Sequence, residues 1–419
     1  MTSTLAPASR SVRARLKRRP WTHHNRLAAA VVGVNAVLAA TAGPLDPGVL
    51  ARLVLGNLTL AVLIRQQLVI NLLFRLATAA TPRRSLRLRW TLGKVYHFGG
   101  LHVGGTLCAT GWFLVLTGVL TVRGGPAALL VTTWAIAGVL AVMVVLALPR
   151  LRARRHDLFE RSHRFGGWSL LVLFAVHAVL LAGAAGKPFL GSGPFWVLLV
   201  IVTSVALPWL RLRRVPVRIT RPSPHVALLS FDYGVTPFAG SSTALSRNPL
   251  LAWHSFANVP APGRAGFRLT VSRAGDWTGA LIDDEPAHLW VKGIPTAGVG
   301  NIDKLFRRVV WVATGSGIGP CLPHLLSGET PARLVWSTRH PRRTYGEDLV
   351  DEILAVQPDA VVWDTDSAGK PDLVELALSA HRDFDAEAVI CISNKKTTWH
   401  VVEALEARGI PAFGAIWDS

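Results

Sequence analysis

Long apolar segments separated by arginine-rich stretches fill the first half of the chain and constrain its fold more than any other feature. Half of the 419 residues are hydrophobic, and the mean hydropathy is +0.37. A helix needs about 20 apolar residues to cross the hydrocarbon core of a bilayer. Several segments approach that length, so residues 27–214 are predicted to form a six-helix transmembrane domain. The six segments are Leu27–Ala42, Val49–Phe74, Val95–Val122, Ala127–Leu148, Trp168–Ala185 and Phe195–Leu210.

The positive charges indicate how these helices are oriented. The net charge is +20, and arginine and lysine collect in alternate connections, namely 10–26, 75–94, 150–164 and 211–218. Such residues stay on the cytoplasmic side of a membrane. We therefore expect a multi-pass protein of the cell inner membrane, in contact with the lipid bilayer, with a basic N-terminus over residues 1–26. Both termini and the soluble domains are expected in the cytoplasm. Because topology accounts for the charge, no nucleic-acid partner is expected, and the oligomeric state stays open.

Four histidines in or beside the apolar segments are candidate haem ligands. His163 and His177 are fourteen residues apart, so they share one helix face about 21 Å apart along the axis. His97 is expected at a depth similar to that of His163. A bis-histidine b-type haem between these two residues is the sharper hypothesis. The candidate ligand set is His97, His102, His163 and His177.

Two other interpretations of these histidines stay open. One is a non-haem metal, because histidine and glutamate on one helical face are common metal ligands. Its candidate ligands are His156, Glu160 and His163, with His97 or His102. The other is hydrogen bonding inside a polar bundle interior beside Arg65 and Gln66. Polar residues inside a bilayer are costly and usually functional, and Arg65 is placed to neutralise a buried anion.

Past Arg218 the pattern changes to short alternating runs separated by Pro, Gly, Ser and Asn. Runs of this kind predict β-strands. We expect a small antiparallel β-barrel, a flavin-binding domain in the interpretation below, over residues 215–305. Its predicted strands are Val226–Phe231, Ala252–Phe256, Gly266–Val271 and His288–Lys292.

From Val309 onward, predicted strands alternate with helices, which indicates a parallel sheet with crossover helices. This α/β nucleotide-binding domain is expected over residues 306–419. Its first strand is followed by a glycine-rich turn and by a proline suited to the first turn of a helix. Free amides at a helix N-terminus bind anions, typically a dinucleotide pyrophosphate. The candidate NAD(P)-binding residues of this turn are Thr314, Gly315, Ser316, Gly317, Ile318, Gly319 and Pro320.

The end of the second predicted strand of this domain indicates which nucleotide is preferred. It reads Ser337, Thr338 and Arg339, with no acidic residue there to bind a ribose 2′-hydroxyl. Arginine and serine favour a 2′-phosphate. The sequence therefore favours NADPH over NADH, and solvated loop arginines are the alternative interpretation.

The order of these parts resembles the ferric reductase and NADPH oxidase superfamily, whose soluble portion is a ferredoxin–NADP reductase-like module. A narrower resemblance is to the TmpA-like integral membrane family, on Arg65–Gln67, His97–Gly105, His156–Trp168, Val335–Pro341 and Gly414–Ser419. The superfamily resemblance implies FAD binding at His254, Ser255, Phe256 and Ala257, at Gly275, Asp276, Trp277 and Thr278, and at Trp417. It also implies that Cys391, Ser393 and Asn394 lie near the nicotinamide.

The resemblance implies a membrane oxidoreductase. Electrons would pass from cytoplasmic NAD(P)H through FAD to haem b or to a small-molecule or membrane-soluble acceptor. The alternative is a non-catalytic transporter or redox sensor that retains a reductase-like scaffold. Its motivation is that Ala257 stands where relatives have Thr or Ser, and that the haem ligand set is incomplete.

Overall fold

The computed structural model describes residues 21–41, 43, 46–80, 82–260, 263 and 265–414. Trp417 and most of the basic N-terminus lie outside these residues. The first half is helical. Its helices are α1 (His23–Thr41), α2 (Pro47–Leu63), α3 (Gln67–Thr78), α4 (Leu86–Leu92), α5 (Gly99–Arg123), α6 (Ala127–Ala147), α7 (Pro149–Arg154), α8 (His156–Ala184) and α9 (Gly193–Leu210).

The prediction of six transmembrane helices is wrong. Within the described residues, four helices are long and apolar enough to cross a membrane, or five if one bent pair forms a single span. The bent pair is α2 and α3, which meet at 71°. The side chain of Gln66 caps the amides of Leu68 and Val69, so a new helix begins where the sequence suggested a continuous one. The four are Leu86–Arg123, Ala127–Ala147, His156–Ala184 and Gly193–Leu210.

Two antiparallel sheets follow the helices, and the predicted closed barrel is wrong. One sheet has the order β1-β7-β4-β5 with β8 paired to β4, and the other has the order β2-β3-β6. Both contribute to one core through side chains such as Leu229, Leu245 and Leu289. The strands are β1 (Leu212–Pro216), β2 (Arg218–Ser223), β3 (Val226–Phe231), β4 (Ser241–Ser246), β5 (His254–Ala257), β6 (Phe267–Ser272), β7 (His288–Lys292) and β8 (Thr296–Ala297). A nine-residue helix, α10 (Asp276–Asp284), lies between β6 and β7.

The last part contains a five-stranded parallel sheet with the order β11-β10-β9-β12-β13. Odd and even residues of β9 belong to different hydrophobic cores, with Trp311 in one and Val312 in the other. Helices therefore cover both faces of the sheet. The strands are β9 (Val309–Thr314), β10 (Ala332–Thr338), β11 (Val361–Asp364), β12 (Ala388–Ile392) and β13 (Ala412–Gly414). The helices are α11 (Ile318–Ser327), α12 (Pro341–Tyr345), α13 (Glu347–Val356), α14 (Thr365–Ala368), α15 (Leu373–Asp383) and α16 (Lys395–Ala407).

Polar contacts join the helical part to the parallel sheet. Arg89 of α4 is only 3% exposed, and its guanidinium binds both carboxylate oxygens of Glu387 at 2.6 and 3.0 Å. Lys94 donates to Glu406 and to the carbonyl of Ala412. The start of the segment Leu86–Arg123 therefore packs against the nucleotide-domain fold.

Candidate functional site

The glycine-rich turn lies at the carboxyl end of β9, in the centre of the parallel sheet. A short 3₁₀ turn, Gly315–Gly317, connects β9 to α11. Gly315 has a φ of +50°, which favours glycine. A Cβ at Gly317 would lie 2.1 Å from the carbonyl oxygen of Ile392. Glycine is therefore required at this position because the backbone of the neighbouring strand passes so close.

The end of β12 completes this site. The hydroxyl groups of Thr314 and Ser393 hydrogen-bond to each other. Asn394 caps α16 by accepting from the amide of Thr397 at 3.0 Å. The structure thus brings together two sets of predicted residues that are far apart in sequence, the glycine turn and the segment after β12.

Cys391 is fully buried in β12. Burial raises the pKa of its thiol to about 12, so the thiol stays protonated at neutral pH. A protonated thiol is a poor nucleophile. Cys391 therefore acts as a small packed residue of the strand, and its place beside the turn is set by the sheet.

The strand order creates a crevice suited to an anion. The chain runs from β9 outward through β10 to β11, and then crosses to β12 on the other side of β9. Ligands of open α/β sheets bind at this kind of reversal, outside the carboxyl ends of the strands. The N-termini of α11 and α16 both begin at this edge. Their dipoles favour negative charge there.

The residues predicted to select the nucleotide differ in their exposure to solvent. Ser337 and Thr338 are 5% and 7% exposed, so their side chains belong to the interior. The side chain of Arg339 is 82% exposed, and its Nε lies 3.7 Å from a carboxylate oxygen of Asp366. Arg339 is the member of this group that reaches solvent at the crevice edge.

Sequence reasoning missed two aromatic residues that support the turn. The indole nitrogen of Trp336 donates to the carbonyl of Gly315 at 3.0 Å. Tyr345 meets Trp336 edge to face, with ring centroids 5.0 Å apart. Burial raises the pKa of Tyr345. Both are core residues in the sequence pattern, and no local signal links them to the turn.

Five of the residues assigned to the flavin, His254, Gly275, Asp276, Trp277 and Thr278, line a cleft of about 670 Å³. They come from β5 and from the N-terminus of α10, and the opposite wall is the first part of α8. The segment predicted as a pyrophosphate loop is the start of a helix, capped by Gly275. The hydroxyl of Thr278 accepts from the amides of Ala274 and Gly275 at 2.9 and 3.1 Å. The amides left for a ligand are therefore those of the first helical turn. Asp276 also lies in this turn.

Two neighbouring aromatic rings, Trp277 and His254, line this cleft, and the Phe256 ring packs against Trp277. The Trp277 ring lies 4.3 Å from the His254 ring and 6.2 Å from the Phe256 ring, centroid to centroid. Nε2 of His254 is buried and has no hydrogen-bond partner in the part of the chain that the structure describes. Burial lowers the pKa of His254, so its imidazole is neutral at neutral pH. The cleft fits a flat ring with a polar edge, with Trp277 covering one face of His254.

The other predicted flavin residues are less informative. Ser255 is exposed and Ala257 is half-buried. Ala257 pairs with Ser242 of β4, whose hydroxyl bonds to the carbonyl of Thr296. Trp417 lies outside the described residues.

The candidate haem ligands each have other neighbours. The ring of His97 contacts those of His23 and Tyr96, and the ring of His163 contacts that of Phe159. His102 bonds to the carbonyl of Ala61, and His177 bonds to the hydroxyl of Thr133. Arg65 is exposed at the bend beside Gln66. The hydrogen bonds of His102 and His177 are thus made between helices, whereas Nδ1 of His163 is buried with no hydrogen-bond partner among the described residues.

The space that a haem needs is taken by helix backbone. A Cβ at Gly100 would lie 2.1 Å from the carbonyl oxygen of His24, and one at Gly105 would lie 2.9 Å from that of Asn57. The glycines of α5 therefore let α1 and α2 approach closely. These faces leave no room for a haem against α5, and the rings of His97 and His163 contact other side chains, so the structure does not show the predicted haem site.

Comparison with known proteins identifies relatives that are similar to this chain in sequence. Residues 299–419 match the family model of the C-terminal domain of adenylate-forming reductase 03009. Adenylate-forming reductase 03009 of Coprinopsis cinerea is 43% identical over 386 residues, which cover 89% of this chain and 38% of that protein. Adenylate-forming reductase 06235 of the same organism is 42% identical, over 88% of this chain and 37% of its own length. The chain thus spans less than two fifths of these relatives.

Solved structures match about half of the chain. A ferredoxin NADP+ reductase from Neisseria gonorrhoeae with bound FAD and NADP is 14% identical, with a TM-score of 0.39, over 49% of this chain and 98% of that one. Full-length CYP116B46 from Tepidiphilus thermophilus is 18% identical, with a TM-score of 0.41, over 49% and 28% of the respective chains. The comparisons do not show the predicted resemblance to ferric reductases, NADPH oxidases or TmpA proteins. By sequence, the chain is similar to these two adenylate-forming reductases, and its residues 299–419 match the model of the C-terminal domain of one of them.

Proposed function

We propose that the chain is an NAD(P)H-dependent flavin oxidoreductase attached to a membrane. The observation that carries the proposal is the crevice between β9 and β12. There, Gly317 lies against Ile392, and Thr314 is tied to Ser393. The similarity to two adenylate-forming reductases supports a reductase. The preferred nucleotide is NADPH, because Arg339 is an exposed cation that directly follows β10 at the crevice edge.

The cleft at His254 and Trp277 is the proposed FAD site. The first turn of α10 would hold the pyrophosphate, and the aromatic rings would hold the isoalloxazine. When bound, FAD accepts a hydride from the nicotinamide and releases electrons one at a time or in pairs. The chain contributes binding and orientation, and the unpartnered Nε2 of His254 offers a polar contact to the flavin edge.

The electron acceptor is proposed to be a small or membrane-soluble molecule. Four or five helices have the length and composition of membrane spans. Their basic flanks favour a location of the sheets on the cytoplasmic side of the inner membrane, where NAD(P)H is found. Haem is left out of the route because helix backbone fills the space beside His97.

A direct test uses the detergent-purified protein. We expect flavin absorbance after incubation with FAD, and NADPH-dependent reduction of a soluble quinone analogue. Trp277→Ala is expected to lose flavin, whereas Gly317→Ala is expected to keep flavin and lose oxidation of NADPH. A wild-type protein that binds neither flavin nor NAD(P)H contradicts the proposal. One that binds both without oxidising the nucleotide instead supports a sensor or transporter.

A further inference from the structure

A loop between β4 and β5 exposes two adjacent leucines. This leucine loop, residues 248–252, carries Leu250 at 55% exposure and Leu251 at 51% exposure. Neighbouring exposed leucines at a loop tip are unusual on a surface that faces only water. The loop lies beside the junction between the apolar helices and the sheets.

The backbone of the leucine loop is satisfied by protein donors. Each carbonyl from residue 248 to residue 252 accepts a hydrogen bond, although the loop is exposed. The donors are the amide of Leu251 for Asn248, Ser246 Oγ for Ala252, Trp253 Nε1 for Pro249, and Arg164 Nη1 for Leu250 and Leu251. A loop facing water has no need of this, because water supplies donors. A loop at the edge of a bilayer does need it, because unsatisfied polar groups are costly in an apolar medium.

The donor Arg164 ties the leucine loop to an apolar helix. Arg164 belongs to α8, and its side chain is only 10% exposed. Trp168 lies one turn further along the same helix. Its ring is 4.8 Å from that of Trp209 in α9, which is in turn 6.1 Å from that of Trp253. Clustered tryptophans at the ends of spanning helices mark the membrane interface.

Positive charge surrounds the same junction. Arg211, Arg213 and Arg214 follow α9 directly and are exposed. The ammonium of Lys292 lies over the rings of Trp209 and Trp253, at 5.1 and 4.7 Å from their centroids. Basic residues beside an apolar surface complement anionic lipid headgroups.

We propose that the leucine loop inserts Leu250 and Leu251 into the interface of an anionic phospholipid bilayer and so seats the flavin-side sheet on the membrane. The proposal rests on the membrane location in the proposed function. Self-satisfied carbonyls allow this irregular loop to sit at headgroup depth, and Arg164 fixes the loop at the level of the tryptophans. Asn248, Leu251 and Ala252 of the loop also line the cleft at His254, so the cleft would then open at the membrane surface.

The test places an environment-sensitive fluorophore on single cysteines in proteoliposomes of phosphatidylcholine and phosphatidylglycerol. Cys108→Ala removes the half-buried native thiol, while Cys321 and Cys391 are buried. Labelled Leu250→Cys and Leu251→Cys are compared with Val131→Cys, which is 69% exposed on α6, and with Lys370→Cys, which is exposed on the nucleotide domain. Lipids with a nitroxide near the headgroup or deep in the acyl chain quench the probes.

We expect the probes at 250 and 251 to be quenched at least about twofold more by the shallow nitroxide than the probe at 370. The probe at 131 should also respond to the shallow nitroxide, because Val131 is the fifth residue of α6 and lies about 6 Å from the helix end. If the probe at 131 is quenched and those at 250 and 251 are not, the leucine loop does not touch lipid. This inference then fails, while the membrane location in the proposed function stands. If none of the three is quenched, the membrane location in the proposed function fails together with it.

Discussion

The side chains of Thr314 and Ser393 hydrogen-bond to each other across the carboxyl ends of two adjacent parallel strands, although 79 residues separate them in sequence. The next contact along, between Gly317 and the carbonyl of Ile392, joins the same two segments. These contacts bring two helix N-termini to one edge of the sheet. An anion-binding crevice is the consequence.

Replacing Gly317 by alanine tests this crevice. The added Cβ would meet the Ile392 oxygen at 2.1 Å, so the turn must move. Overpacking of this kind costs about 1–3 kcal/mol, and we expect NADP+ binding to weaken by tenfold or more, or about 1.4 kcal/mol. Isothermal titration calorimetry measures the affinity, and thermal melting measures the stability.

The matched control is Gly319→Ala in the same turn. Its Cβ would lie 3.4 Å from the Thr270 side chain, which is an ordinary contact. Equal loss of affinity in both variants contradicts the role given to the close approach at Gly317.

Arg339→Ala tests the choice of nucleotide. The lost interaction with a 2′-phosphate is charge-assisted and worth about 1.5–3 kcal/mol. We expect kcat/KM for NADPH to fall at least about tenfold, while that for NADH stays unchanged. Arg342→Ala is the control, because Arg342 is held by Glu347 and by Asp351 at 2.8 Å. A parallel drop for both nucleotides argues against 2′-phosphate recognition by Arg339.

Arg89→Met tests the contact between the helices and the parallel sheet. Removing one partner of a buried ion pair leaves the other charge uncompensated, at a cost of about 3 kcal/mol. We expect the melting temperature to fall, and the double variant Arg89→Met/Glu387→Leu to recover most of the loss. No recovery means that Arg89 acts through its bond to the carbonyl of Leu305.

The same pair predicts acid sensitivity. Burial by itself raises the pKa of Glu387, but hydrogen bonds from Arg89 and Arg307 lower it overall. A lowered carboxylate pKa stabilises the fold above the ordinary glutamate range, and this contribution is lost as pH falls through the lowered value. The melting temperature of the wild type should therefore drop more steeply below the ordinary glutamate pKa than that of the double variant.

Lys292→Met tests a buried charge that destabilises the fold at neutral pH. Burial, with a smaller effect of Arg164, lowers the pKa of Lys292 to about 8. The unfolded chain therefore binds more protons than the fold between about pH 8 and the ordinary lysine pKa, and stability rises with pH across that window. We expect Lys292→Met to be more stable than the wild type at neutral pH, and the difference to shrink towards alkaline pH. Melting curves over this range measure it, and a constant difference contradicts the lowered pKa.

Local patterns were sufficient to predict the parallel sheet with its crossover helices. Continuous apolar runs such as Val309–Ala313 predict buried strands, and the glycine turn after it lies where the pattern places it. Hydrophobic periodicity and the conformational preferences of turn residues act over a few residues, so they can be recognised in the sequence. The same local reading failed at Gln66, where a side-chain cap ends one helix and begins another.

Contacts between segments that are distant in sequence could not be predicted from local patterns. Closure of a barrel depends on which strands pair, and the pairing of β7 with β1 and β4 leaves two separate sheets. Burial of Ser337 depends on its neighbours β9 and β11. The carboxylate beside Arg339 comes from Asp366 after the next strand, although the sequence around Arg339 has no acidic residue.

The amino-acid sequence determined the chemistry that is available: apolar helices with basic flanks, a glycine turn before a helix, and aromatic residues near a capped helix. Hydrophobic periodicity and backbone restriction are properties of neighbouring residues, so they are present before the chain folds. Tertiary packing decided which of these groups meet. It filled the glycine faces of α5 with α1 and α2, and so removed the room for a haem. It also joined Thr314 to Ser393, because strand order depends on the free energy of the whole sheet.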